Sequence, residues 1–425
     1  MDRGLLKEVI LEQKKSIENL DLGVKREDLS RIKRFIRLSH AVIISGIRRV
    51  GKSTLLSQII HNFYGETGYY LNFEDERLIN FQLADFNRLY ELCIELLGER
   101  KVFFFDEIQN VKKWEMFVRR MQERGFKFFV TGSNASLLSK ELATKLTGRT
   151  MMLELYPFSF NEYLTFRGYS LDRKSLFLTQ ERGKIKRLFN EYLEKGGMPE
   201  YLKYKEDIIL KRIYEDILYR DIVARYEIKE IKALRELGLY FLSNIGNLFS
   251  YNKLKGALGL GSVNTVKSYT EYLENAFLIF PVNIFSYSLK QQFIAPKKVY
   301  CIDNGLANAI SFQFSKNRGR FLENLVFLEL KRRYQEIYYY KTRNNLEVDF
   351  LIKEARTTKA IIQVTQSLSN IQVRQREIKA LGLAMEELKL NKAIILTEEE
   401  EEQIRLKDKI IQVKPVYKWL LEREE

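Results

Sequence analysis

The run Ser45-Gly46-Ile47-Arg48-Arg49-Val50-Gly51-Lys52-Ser53-Thr54 constrains this chain more than any other stretch. A short apolar segment, Ala41-Val42-Ile43-Ile44, precedes it, and a helix-forming run, Leu55-Leu56-Ser57-Gln58-Ile59-Ile60, follows. Strand, glycine loop, Lys-Ser and helix, in that order, is the context in which G-x-x-x-x-G-K-S marks a phosphate-binding loop. The glycines let the backbone curl so that its N–H groups point at phosphate. The helix starting near Lys52 adds the positive end of its dipole. Lys52 is expected to neutralise the β- and γ-phosphates of ATP, and the Ser53 hydroxyl to hold Mg2+. Gly46, Arg48, Arg49, Gly51, Lys52, Ser53 and Thr54 make up the expected nucleotide-binding set.

A second signal lies downstream. Lys101-Val102-Phe103-Phe104-Phe105-Asp106-Glu107 is an apolar run ending in two carboxylates. A fully apolar run reads as a buried parallel strand, and ligands bind at the C-terminal ends of such strands. Asp106 is expected to orient the metal, directly or through water. Glu107 is expected to polarise the attacking water.

The chain has 425 residues, enough for several domains, and 45% of them are hydrophobic, enough for a sizeable core. No apolar run is long enough to span a bilayer. The segment Met1-Asp2-Arg3-Gly4-Leu5-Leu6-Lys7-Glu8 lacks the apolar core of a signal peptide. Two cysteines, Cys93 and Cys301, are too few for a disulfide framework or a cysteine zinc site, and two histidines, His40 and His61, make no metal cluster. These features point to the cytoplasm. Seventy-one Lys and Arg against 56 Asp and Glu leave a net charge of +15. Such a balance invites a polyanionic partner, and nucleic acid is the obvious one.

From about 41 to 155, strand-like runs alternate with helix-like ones: Tyr69 to Phe73, Val102 to Phe105, Phe126 to Thr131 and Met151 to Leu155 follow the first strand. The alternation predicts an α/β core, a parallel sheet with helices on both faces. Residues before about 40 read as helical and basic. Residues 156–235 read as helical throughout, broken once at Gly196-Gly197-Met198-Pro199. The stretch 236–310 then changes character. A short helix over Tyr251–Leu258, a turn at Gly259–Ser262, a longer helix from Val263 to Ala276 and a strand at Phe277–Phe280 give the order of a helix-turn-helix with a wing. Asn264, Thr265, Lys267 and Ser268 would face a DNA groove, and Lys290, Lys297 and Lys298 would meet phosphates. The last part, 311–425, carries an amphipathic helix over Arg320–Tyr334, strand-like runs at Ile337–Tyr340, Glu347–Ile352, Ala360–Val364 and Ala393–Leu396, and a helix near Ile371 to Leu390. The acidic run Glu398–Glu402 reads as a solvated loop.

Taken together, these residues resemble the widespread prokaryotic P-loop ATPases of the AAA+ class that carry a C-terminal domain of unknown function. The resemblance covers nearly the whole chain. Besides the two motifs above, it rests on Ile108-Gln109, Thr131-Gly132-Ser133-Asn134-Ala135, Leu146-Thr147-Gly148-Arg149, Pro157-Phe158-Ser159-Phe160, Gly196-Gly197-Met198-Pro199, Val299–Leu306 and Gly319-Arg320-Phe321-Leu322-Glu323-Asn324. It implies an ATPase core over 1–155, a helical lid over 156–235, a winged helix over 236–310 and a PD-(D/E)XK nuclease-like domain over 311–425. It also implies that Ser133 or Asn134 reads the γ-phosphate. Arg149 is implied to reach a neighbouring subunit's nucleotide, which makes the active form a ring or a dimer; Arg220 is a weaker candidate for a lid arginine. In the nuclease-like part the implied metal ligands are Glu323, Asp349 and Gln363, with Glu347 on the same strand face as Asp349. The lysine expected two residues after Gln363 is replaced by Thr365.

The resulting expectation is a cytoplasmic Mg2+-dependent ATPase that acts on DNA. An ATP-gated nuclease, a nucleotide-controlled switch or scaffold, and a DNA-binding regulator remain open beside it.

Overall fold

A computed structural model describes residues 1–133, 148–170, 178–311, 318–355 and 357–422. The chain divides into two compact units, Met1–Leu155 and Tyr156–Glu425.

The first unit is built on five parallel strands: β1 (Ala41–Ser45), β2 (Gly68–Asn72), β3 (Val102–Asp106), β4 (Lys127–Gly132) and β5 (Thr150–Glu154). Their order across the sheet is β2-β3-β4-β1-β5. The apolar runs predicted as strands are the strands found. Successive strand side chains point to opposite faces, and both faces here are apolar. On one face Ile43, Phe103, Phe105, Phe128 and Val130 pack against α1 (Arg3–Glu18), α4 (Asp85–Leu97) and α5 (Trp114–Glu123) through Leu6, Phe86, Leu89, Phe117 and Val118. Phe103 stacks on Phe128 with ring centroids 5.2 Å apart. On the other face Phe104 stacks on Phe129, also at 5.2 Å, and Tyr64 meets both edge-on. Tyr64 lies just beyond α3 (Lys52–Ile59), whose neighbour is α2 (Leu29–Ile36). Helices therefore cover both faces, as a parallel sheet requires. The open edge of β2 is closed by α1: the Gln13 amide donates to the Asn72 carbonyl at 3.1 Å and accepts from the Asn72 N–H at 2.8 Å.

The second unit begins with helices Phe160–Phe166, Thr179–Lys195, Pro199–Tyr204, Asp207–Asp216 and Ile231–Ser243. A three-stranded antiparallel sheet follows: β6 (Leu248–Phe249), β7 (Ile279–Val282) and β8 (Lys297–Cys301), in the order β6-β8-β7. Helices Tyr251–Ala257 and Val263–Asn275 lie between β6 and β7, and a short helix, Leu289–Ile294, lies between β7 and β8. After helices Asn304–Ile310 and Arg318–Arg333 comes a mixed sheet of β9 (Glu336–Lys341), β10 (Glu347–Glu354), β11 (Thr357–Val364), β12 (Lys392–Thr397), β13 (Glu402–Leu406) and β14 (Lys409–Pro415), ordered β13-β14-β12-β11-β10-β9. β11, β12 and β14 run parallel to one another; the remaining pairings are antiparallel.

Two expectations change here. The acidic run is not a free loop. Glu398 accepts from Arg318, Glu400 accepts from the Leu368 N–H at 3.0 Å, and Glu402 already belongs to β13. Lys298 is not on the surface of a wing either. It lies on β8, only 2% exposed, because β8 is the central strand of its sheet and turns this side chain inward. It cannot meet a phosphate backbone.

Candidate functional site

The strand order brings three C-terminal ends side by side, those of β3, β4 and β1. The glycine loop leaves β1 at Ser45. Gly46 has no room for a side chain: a Cβ there would lie 2.4 Å from the Leu155 carbonyl oxygen. Gly51 has φ +97°, left-handed backbone that glycine adopts without strain. The turn delivers Lys52 and Ser53 as the first residues of α3, beside the N–H groups left free at a helix start. The Lys52 side chain is buried and folds back over the loop. Its Nζ donates to the carbonyls of Gly46 at 3.3 Å and Ile47 at 3.4 Å, and lies 3.3 Å from Glu107 Oε1.

Asp106 ends β3 and is fully buried. The Thr131 hydroxyl of β4 donates to its Oδ1, Tyr70 OH donates to its Oδ2 at 3.2 Å, and the Ser53 hydroxyl also donates to it. Burial, reinforced by the neighbouring Glu107 charge, raises its pKa. A buried carboxylate joined to the hydroxyl of Lys-Ser is the pair that a hard divalent cation would take as ligands. Glu107 has φ +49° and ψ +43°, a left-handed conformation that costs a non-glycine residue about 1–2 kcal/mol. Its N–H donates to Thr131 Oγ1 at 3.0 Å, and Gln109 Nε2 donates to its carboxylate. Burial pushes the Glu107 pKa up, but Lys52 and the Gln109 hydrogen bond outweigh it, and the net shift is downward. Ser133 follows β4 directly. It is 2% exposed, and its Oγ has no hydrogen-bond partner among the described residues. A buried hydroxyl without a partner is costly unless something else completes it. Lys52, Ser53, Asp106, Glu107 and Ser133 thus come together, and an anion with a divalent cation fits them.

The other predicted loop residues flank this group, and the rest lie apart. Arg48 reaches Glu74 Oε1 at 3.6 Å and its charge also acts on Glu107; Arg49 takes φ +61° within the loop; Thr54 is half-buried in the first turn of α3. Asn134 falls outside the described residues. Arg149 is exposed, immediately before β5, and its carbonyl accepts from the Ala41 N–H at 3.0 Å. That places it at the sheet edge where β1 starts, whereas the glycine loop leaves where β1 ends, roughly 16 Å along a five-residue strand. Arg220 lies in the second unit, 3.3 Å from Asp216.

The sequence reading passed over Arg26. It is 4% exposed; its Nη1 donates to the Val50 carbonyl at 2.9 Å, and its N–H donates to Gln58 Oε1 at 3.1 Å. It braces the loop from behind, just before Gly51. A basic residue in a basic helical segment carries no sequence signal for that role.

In the second unit, Asn264 and Lys267 are exposed on helix Val263–Asn275, and Thr265 and Ser268 half-exposed. Lys290 is exposed; Lys297 is half-buried and donates to Asn283. Glu323, Glu347 and Asp349 converge, but around Lys298. Its Nζ lies 2.9 Å from Glu323 Oε1, 2.9 Å from Glu347 Oε1 and 2.8 Å from Asp349 Oδ1. Burial, with the Asp349 charge beside it, pushes the Glu323 pKa up to about 7. Gln363 lies beside Asp349 but spends its amide oxygen on the backbone: its Oε1 accepts from the Asp349 N–H at 3.1 Å.

Comparison with known proteins finds three matching domain families. Residues 38–164 match an AAA domain, residues 186–317 a domain of unknown function (DUF8612), and residues 318–419 another (DUF4143). The uncharacterized protein MJ1544 of Methanocaldococcus jannaschii is 37% identical over 98% of this chain and 97% of its own length. The chain belongs to the MJ1544 family. An uncharacterized Haemophilus influenzae protein is 32% identical over 74% of this chain and 79% of its own. Among solved structures, the Aeropyrum pernix ORC1 protein in complex with DNA overlaps 68% of this chain and 92% of that one, at 13% identity and a TM-score of 0.31. An overlap of that order is loose and says nothing of what this chain binds. The first unit is an AAA domain on a parallel α/β sheet; among the described residues no helix is long and apolar enough to cross a membrane.

Proposed function

We propose that the chain is a Mg2+-dependent AAA+ ATPase that couples ATP binding and hydrolysis to action on DNA, as remodelling, translocation or branch processing. The observation that carries the ATPase reading is the convergence of Lys52, Ser53, Asp106, Glu107 and the Ser133 hydroxyl, which has no partner among the described residues, at three adjacent strand ends. Backbone N–H groups of the loop from Gly46 to Thr54 would cradle the phosphates, with Arg48 and Arg49 beside them. Lys52 would leave its carbonyl partners for the β- and γ-phosphates, which removes its hold on Glu107. Glu107, still held by the Gln109 hydrogen bond, is then free to accept a proton from the attacking water. Ser53 and Asp106 would hold Mg2+, which supplies charge neutralisation on the phosphates. Ser133 would donate to the γ-phosphate, and Asn134 would share that role.

Arg149 cannot serve its own chain's loop from the far edge of the sheet. Its place supports a role in trans, where an arginine neutralises developing charge in phosphoryl transfer. The active form is then a homo-oligomer.

The DNA reading rests on the second unit. The helix–strand–helix–helix–strand–helix–strand order of residues 231–301, with the short helix Leu289–Ile294 inside the last hairpin, supports a winged helix, with Asn264, Thr265, Lys267 and Ser268 toward a groove and Lys290 toward phosphate. The mixed sheet flanked by helices Arg318–Arg333 and Ile371–Glu387 suits a nuclease-like fold. The net charge of +15 favours a nucleic-acid partner. The ATPase reading is tested by Glu107→Gln. We expect it to bind Mg-ATP as the wild type does and to turn over at a small fraction of the rate. Wild-type turnover in this variant would refute the assignment.

A further inference from the structure

The carboxylate cluster of the second unit has the residue types of a metal site, yet the chain supplies its own cation. Lys298 Nζ has three N–H donors and three carboxylate partners, Glu323, Glu347 and Asp349, each at 2.8–2.9 Å. The ammonium is 2% exposed and its donors are saturated. Two of the three carboxylates take a further donor. Tyr300 OH donates to Glu323 Oε1 at 2.6 Å, and the Val364 N–H donates to Asp349 Oδ2 at 2.9 Å. Gln363 spends its oxygen on the Asp349 N–H. Among the described residues, no group of three or more His, Cys, Asp or Glu is arranged to hold a metal ion.

The elements that deliver these groups matter. Lys298 and Tyr300 are two apart on β8, so they share a face, and that face meets the helix Arg318–Arg333 and β10. Gly246, just before β6, covers Glu323: a Cβ there would lie 3.2 Å from Glu323 Oε2, and its φ is +75°. Beside it, the Phe285 N–H donates to the Tyr339 carbonyl at 2.7 Å and the Tyr339 N–H to the Asn283 carbonyl at 3.1 Å, which ties the stretch after β7 to β9. The three-stranded element is therefore seated over the cluster.

We propose that Lys298 is the resident cation of this cluster, standing where a divalent ion would sit. The cluster is then a metal-independent latch between the three-stranded element and the mixed sheet, and it does not cut nucleic acid. This refines the nuclease-like reading of the C-terminal part and is independent of the ATPase reading.

The test is Mn2+ titration of the full, nucleotide-free chain, followed by the EPR signal of free Mn2+. We expect the wild type and Glu347→Gln to bind the same amount of Mn2+. Glu347 is the most exposed of the three carboxylates, so its substitution is the gentlest on the fold. We expect Lys298→Ala to melt at lower temperature, to gain a Mn2+ ion, and to recover part of the lost melting temperature when Mn2+ is added. An ion bound by the wild type and lost in Glu347→Gln overturns the proposal, as does a folded Lys298→Ala that takes up no further Mn2+. Should Lys298→Ala fail to fold, the wild type against Glu347→Gln decides alone. A strand order other than β13-β14-β12-β11-β10-β9 in an experimental structure would undo the fold reading without touching the Mn2+ result.

Discussion

Arg26→Met removes the guanidinium that braces the glycine loop and keeps most of the apolar stem. The hydrogen bond lost runs from Nη1 to the Val50 carbonyl at 2.9 Å, in a side chain 4% exposed. A buried hydrogen bond with one charged partner contributes about 1.5–3 kcal/mol. Val50 precedes Gly51, so a loose carbonyl there lets the loop leave the shape in which its N–H groups point at phosphate. Restoring that shape on binding then draws on the ATP affinity, and 1.4 kcal/mol is tenfold. We expect Mg-ATP affinity to fall by roughly tenfold to a hundredfold. The assay is titration of a fluorescent ATP analogue, with urea unfolding of the nucleotide-free chain in parallel. The exposed neighbour Lys25→Met should change neither. Unchanged affinity beside a lowered unfolding midpoint would refute the reasoning, because Arg26 would then brace the fold and not the loop.

Three further outcomes follow from the same geometry. Asp303 caps the helix Asn304–Ile310 and accepts from the Gly197 N–H at 2.6 Å, and burial pushes its pKa up to about 6. The folded state holds that proton more tightly than the unfolded one, whose pKa is about 3.9. The stability it confers is therefore full below about pH 4 and lost by about pH 6, roughly 3 kcal/mol in all. Urea unfolding of Asp303→Asn should gain on the wild type by that order between pH 4 and pH 7; parallel profiles would contradict it. Lys267→Ala and Lys290→Ala should each weaken duplex binding across sequences and lower the salt slope by about one, read by anisotropy at graded KCl; unchanged slopes remove these lysines from the interface. Arg149→Ala should cut turnover by roughly a thousandfold, and mixing it with Lys52→Ala chains should restore part of it. No recovery on mixing would place Arg149 outside a neighbour's site.

The first unit was the more legible half. Its strands are continuous apolar runs between glycines and charges, so period and context agree, and a parallel sheet buried on both faces leaves little ambiguity. Lys52, Ser53, Asp106 and Glu107 were brought together by motif order, before any distance was known. Thr131 and Tyr70, which donate to Asp106, carried no such signal, because a hydroxyl on a strand is ordinary until its neighbour is known. In the second unit the Glu-rich run hid the start of β13, and the alternation through Ile404 and Leu406 was passed over. Lys298 misled for a physical reason. Lysine is almost never fully buried, so a lysine near a strand start reads as surface. Its three carboxylate partners come from helix Arg318–Arg333 and from β10, distant in sequence, and only the tertiary structure brings them to it.

The measurement that bears most directly on the account is steady-state ATP hydrolysis by the purified full chain, alone and with single-stranded, duplex and branched DNA, with Glu107→Gln as the control. The account predicts Mg2+-dependent turnover that one DNA form stimulates strongly and that Glu107→Gln abolishes. A slow rate indifferent to every DNA would contradict it, and would leave a nucleotide-controlled switch in its place.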